Sequence, residues 1–152
     1  MNLKKFSQVY VVTLGIEVEV DKVKVVVRYS DGRLMKGFTQ DFSPKKVRFH
    51  LISSENPSGQ TTAVFMSELK AVFMVRDFIG DPLHEERKKY IEGEESFGRK
   101  MEVTFKDGEV LVGSTLGYSS TQQGFFIFPA DSNGNNAKVY VVSSAVDKVR
   151  YL

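Results

Sequence analysis

Short apolar runs recur along the chain, each of strand length and bounded by polar turn residues. Val25–Tyr29, Leu34–Gln40, Val47–Ile52, Thr62–Met66 and Ala71–Arg76 are rich in β-branched and aromatic residues and predict five strands. A second series follows at Met101–Phe105, Val110–Leu116, Gly124–Phe128, Lys138–Val142 and Lys148–Leu152. Asp31-Gly32 and Asp107-Gly108 predict tight two-residue turns after the first strand of each series. Polar loops at Ser53–Gln60 and Ala130–Asn136 precede the fourth strands. Ser67-Glu68-Leu69 and Ser143-Ser144-Ala145 are too short for an α-helix and suit one 3₁₀ turn each.

The two series superpose at one offset. Asp31-Gly32 matches Asp107-Gly108, Gly37 matches Gly113, Thr39 matches Thr115, and Ser43 matches Ser119, all 76 residues apart. Phe49 with Phe125 and Ser67 with Ser143 follow the same spacing, and Phe73 falls opposite Val149. A repeat of this kind predicts a tandem duplication of one small module, residues 24–76 and 100–152. Five strands and one 3₁₀ turn within 53 residues is the layout of an SH3-like or Sm-like small barrel. A core that small is marginal, so the copies are expected to pack on each other. The expected fold class is therefore all-β, two tandem five-stranded barrels joined by a connector.

Residues 77–99 form that connector. Asp81-Pro82 ahead of Leu83–Ile91 predicts a short helix there, stopped near Gly93. Residues 1–23 read as an N-terminal hairpin, because Ile16, Val18 and Val20 alternate with Glu17, Glu19 and Asp21. That hairpin is expected to extend the first barrel's sheet or to meet a second subunit.

Val25–Asp41, with Asp31-Gly32-Arg33, Gly37 and Asp41, resembles the first motif of the Sm-like family. Pro44 and Lys45 stand where the RNA-contacting asparagine of that family would follow, so the resemblance implies the fold and not an RNA site. Asp107–Gly113, Gly124–Asp131, Asn135-Asn136 and Val139–Val146 together resemble an uncharacterised bacterial family with duplicated small β-barrels. That resemblance implies a bacterial origin and a scaffold sometimes found beside regulatory domains, but no activity. Asp41-x-Ser43 is similar to part of a PilZ motif, which would imply cyclic di-GMP. Lys46 replaces the glycine expected after it.

Charge is uneven. Residues 24–76 carry nine Lys/Arg and four Asp/Glu, residues 100–152 carry five of each, and the connector carries four and seven. An anionic partner would therefore meet copy one, where Lys36, Lys45, Lys46 and Arg48 cluster beside Phe38 and Phe42, rings suited to stacking on nucleic-acid bases. A solvated basic face explains the same charges. The chain has no cysteine and only two histidines, His50 and His84, neither at metal-ligand spacing. No nucleophile motif or phosphate-cradling loop is present, so no cofactor, metal site or catalytic residue is expected. No apolar run approaches a membrane span, and a cytoplasmic protein is expected.

One segment exceeds structural need. Alternation along Phe125-Phe126-Ile127-Phe128-Pro129 buries Phe125 and Ile127 and turns Phe126 and Phe128 outward. With Tyr118 and Tyr140 these predict an aromatic patch for a protein partner. The alternative is that the other barrel or the N-terminal hairpin covers them. Three functions follow in order: a non-enzymatic binding or regulatory module contacting protein, nucleic-acid binding by copy one, and cyclic dinucleotide binding.

Overall fold

The computed structural model describes residues 8–13, 16–55, 59–80, 83–85 and 87–152, with side chains from Lys22 onward. The described chain is all-β. Its strands are β1 (Gln8–Thr13), β2 (Ile16–Asp21), β3 (Val23–Tyr29), β4 (Leu34–Thr39), β5 (Arg48–Ser53), β6 (Thr61–Phe65) and β7 (Leu69–Val75). After the connector come β8 (Arg99–Phe105), β9 (Val110–Thr115), β10 (Gly124–Pro129), β11 (Asn136–Val142) and β12 (Val146–Tyr151). Single 3₁₀ turns, Met66–Glu68 and Ser143–Ala145, precede β7 and β12.

Among the described residues β1 and β2 pair with each other and with no strand of the main sheet, so the expected extension of the first barrel's sheet is not seen. The other ten strands form one open antiparallel sheet in the order β12-β8-β9-β10-β11-β7-β3-β4-β5-β6. This departs from the expected pair of closed five-stranded barrels packed on each other, because the sheet runs unbroken through both halves and stays open. Each half does order its strands fifth, first, second, third, fourth. The fourth strand of the second half, β11, then pairs with the fifth strand of the first half, β7.

The physical reason lies in β7 and β11. Every residue of β7 is buried, and so are the last four of β11. Ala71, Phe73 and Val75 on one face of β7 enter the core of the second half. Leu69, Val72 and Met74 on its other face fill the core of the first. Tyr140 and Val142 of β11 reciprocate by entering the first core. A strand that is apolar on both faces needs cover on both, which a lone small barrel cannot give. Each large side chain buried in this way contributes about 1.5–3 kcal/mol. The two halves are thereby one folding unit.

Register also corrects the repeat. Phe49 pairs with Val64 in β5–β6, and Phe125 pairs with Val141 in β10–β11. The first members are 76 residues apart and the second members 77. Likewise Tyr29 pairs with Leu69, and Phe105 with Val146. The second half therefore has one extra residue in the loop between β10 and β11. Beyond it, the counterpart of Val149 is Val72, that of Arg150 is Phe73, and that of Tyr140 is Ala63.

The Asp-Gly turns are three-residue loops and not the expected two-residue ones. Tyr29 N–H bonds to the Arg33 carbonyl, and Phe105 N–H to the Glu109 carbonyl. Gly32 and Gly108 take φ of 96° and 92°, the left-handed step that closes such a loop. At Gly37 and Gly113 a Cβ would lie 2.2 and 2.3 Å from the carbonyl oxygens of Ile52 and Phe128. Those glycines let neighbouring strands cross at close range.

The connector forms no helix among its described residues; Asp81 and Pro82 lie outside them. Its side chains and amides bond the second half instead. Arg87 N–H donates to the Asp131 carboxylate at 2.9 Å, where a helix would direct it to a carbonyl four residues back. His84 Nε2 meets the same carboxylate at 2.6 Å. The Arg87 guanidinium forks onto Glu94 at 2.5 and 2.8 Å and onto the Ala130 carbonyl at 2.6 Å. These tertiary bonds override a weak local propensity.

Candidate binding cleft

Pairing of β10 with β11 sets Phe126 opposite Tyr140. Phe125 and Ile127 point into the second core, and Phe126 and Phe128 lie half-buried on the opposite face, as alternation requires. Phe126 then meets the first half. Its ring contacts Phe42 edge-on at 6.2 Å and Tyr140 at 5.2 Å, and Phe42 also contacts Phe49 and Tyr140. The four rings tie the halves together across their junction.

The loop from Ser43 to Lys46 arches from this cluster towards β10. Gln123 of the second half holds it by donating Nε2 to the Lys46 carbonyl at 2.9 Å and the Pro44 carbonyl at 3.3 Å. Tyr140 donates its hydroxyl to the same Pro44 carbonyl at 3.4 Å. Between loop and strand lies a cleft of about 610 Å³. Pro44, Leu116, Phe126 and Phe128 give it apolar walls, and Leu116 is 70% exposed. Lys45 and Lys138 are the two charged residues among those that line it.

Lys138 lies between this cleft and a second hollow of about 470 Å³ under the connector, which it lines together with Phe128. Its ammonium stands 4.4 Å from the centre of the Phe126 ring. Desolvation holds its pKa below the ordinary lysine value. A partly dehydrated cation beside an aromatic face has lost much of its water, so an incoming carboxylate or phosphate has less to displace.

The sequence-predicted residues divide between several places. Phe126, Phe128 and Lys45 line the cleft. Tyr140 borders it but is only 1% exposed, and serves as core to the first half. Tyr118 packs on Phe125 and Tyr151 at the second core, away from Phe126. Lys46 and Arg48 are exposed beside the loop. Lys36 lies elsewhere, donating to the Phe78 carbonyl at 2.8 Å. Phe38 stacks edge-on with Phe78, and Phe42 with the junction rings, so both rings put forward for base stacking are engaged within the chain. Gln123, Leu116 and Lys138 were missed. Alternation places Lys138 on the face of Tyr140, two residues on, so the signal was present once β10 and β11 were known to pair.

His50, the counterpart of Phe126, is locked by Asp41. Nδ1 lies 2.7 Å from one carboxylate oxygen, and the His50 N–H donates to the other at 2.9 Å. Burial works to raise the Asp41 pKa, but hydrogen bonds from the His50 ring, the His50 main chain and Thr39 outweigh it and hold it low. The Asp41-x-Ser43 segment is thus engaged internally, with Ser43 Oγ accepting the Lys45 N–H at 3.3 Å. Among the described residues no three His, Asp or Glu side chains are grouped to hold a metal ion. No described helix is long and apolar enough to cross a membrane.

Neither a curated protein nor a solved structure matches the chain significantly. A family model does match, over residues 21–152, which takes in both halves and the connector. The chain therefore belongs to DUF6982, a family of unknown function.

Proposed function

We propose that this protein is a non-enzymatic binding module, built from two copies of one small β-barrel-like unit, whose recognition site is the cleft between them. The ligand is an extended segment of another protein carrying apolar side chains and at least one carboxylate. One observation carries this reading: an apolar cleft with exposed Leu116 and half-exposed Phe126 and Phe128, in which Lys45 and Lys138 are the charged lining residues. Apolar walls with a few convergent polar groups are the usual make-up of a binding site. The uniform sign of the charge selects against basic partners.

Peptide display on the immobilised full chain tests this. The recovered peptides should combine aromatic or aliphatic residues with Asp or Glu, and Lys45→Glu plus Lys138→Glu should abolish their binding. Selection of basic peptides, or binding unaffected by the double variant, overturns the reading.

Single-stranded nucleic acid is a second reading, favoured by the exposure of Lys45, Lys46 and Arg48 around one edge of the same cleft. Binding to a single-stranded RNA at low salt, weakening steeply as salt rises, would support it; no binding at low salt ends it.

A further inference from the structure

Among the described residues, the ten-stranded sheet ends on two unpaired edges of opposite character. β12 is the outer edge of the second half, and Asp147, Lys148 and Arg150 are exposed along it. These are the charged gatekeepers with which proteins stop an edge from pairing. β6, at the other end, reads Thr61-Thr62-Ala63-Val64-Phe65, without charge or proline. Phe65 is 42% exposed there, and Ala63 lies exposed two residues away on the same face.

The molecule already shows what this kind of edge does. β11 is the second half's equivalent of β6, and its free side is taken by β7. We infer that β6 likewise takes a strand, and that the strand is β6 of a second copy, giving a two-fold dimer with a continuous sheet across it. Antiparallel pairing centred on Ala63 matches all five residues: Ala63 meets its own mate, Thr62 meets Val64, and Thr61 meets Phe65. The edge is self-complementary and uncharged, as a two-fold interface requires. Pairing of β6 with β12 of another copy is disfavoured. It would set Lys148 and Arg150 where β7 offers Ala71 and Phe73 to the neighbouring core. A five-residue edge is a small interface, so the dimer forms in a concentration-dependent way.

Light scattering on the full chain across micromolar concentrations tests this. The wild type should shift from its 17.2 kDa mass to twice that value as concentration rises. Ala63→Lys and Ala63→Glu should each remain monomeric, because the two-fold places like charges face to face. Mixed together they should recover the dimer. Circular dichroism confirms that each variant is folded, which the exposure of Ala63 permits. A wild type monomeric throughout, a dimer insensitive to either variant, or a mixture that stays monomeric overturns the inference. So do masses above the dimer, which would mark head-to-tail pairing through β12.

Discussion

The β5–β6 face of the first half and the β10–β11 face of the second use the same backbone for different ends. Phe126 occupies in the second what His50 occupies in the first, and Tyr140 occupies what Ala63 does. On the second half, β7 covers the outer side of β11, and the Ser43–Lys46 loop roofs β10. On the first half nothing described pairs beyond β6, and His50 is tied to Asp41. The difference teaches that the cleft belongs to the junction and not to the module. It exists because one half lends a loop and a strand to the other.

Substitutions at equivalent positions should separate the two faces most. Tyr140→Ala removes a ring shared by the first core and the junction cluster, and should destabilise by about 3–5 kcal/mol in urea unfolding. Ala63→Ser, at the counterpart position, should stay within about 0.5 kcal/mol.

A smaller effect tests the charge that spans the junction. Lys70 of β7 is nearly buried, with 8% of its side chain exposed, and bonds Asp107 at 2.7 Å and Glu109 at 3.2 Å across the junction. Asp107→Asn should cost about 1 kcal/mol, since Asp107 is half-exposed and Glu109 still offers Lys70 a partner. The counterpart of Lys70 in the outer strand, Asp147, is exposed and should be replaceable with no measurable change.

Acid should release each half from a different tie. Hydrogen bonds from the Arg87 main chain lead those that hold Asp131 below its ordinary pKa, against burial, with His84 adding to them. The Arg87 guanidinium pulls Glu94 down to about 2. Depressed carboxylates contribute stability that is present above their unfolded pKa values, about 4, and lost as pH falls through the folded ones. The urea midpoint of the wild type should therefore fall below about pH 4. It should fall less steeply in Asp131→Asn, where the connector is already loosened, and in Asp41→Asn, where His50 is. Arg150→Ala on the outer strand should likewise change stability by no more than about 0.5 kcal/mol, despite its 3.0 Å ion pair with the partly exposed Glu102.

The strands were legible because β-branched runs and Asp-Gly turns are local signals, but the pairing of each fifth strand with the first is not local and was not. The union of the halves was legible too, though in a form easily passed over. Ala71–Val75 and Val139–Val142 are unbroken apolar runs, and such a strand needs two covered faces. β12, Val146-Asp147-Lys148-Val149-Arg150-Tyr151, sets three charges among its two valines and needs one. The extra residue before β11 escaped notice because chance matches such as Ser67 with Ser143 continue the old spacing. The connector misled because Asp-Pro is a local helix signal, while Arg87, His84 and Asp131 meet only in three dimensions. The cleft was half-visible. Phe126 and Phe128 announced themselves by alternation, but Lys45 and Gln123 reach them from separate segments of the chain.

Deuterium exchange with and without a display-selected acidic peptide tests the cleft most directly. The peptide should protect the Pro44–Lys46 loop, Thr115–Gly117, Gln122–Phe128 and Lys138–Tyr140, and leave Arg48–Ile52 and β6 unchanged. Protection centred on Arg48–Phe65, with the junction unaffected, would contradict the assignment of recognition to the shared cleft.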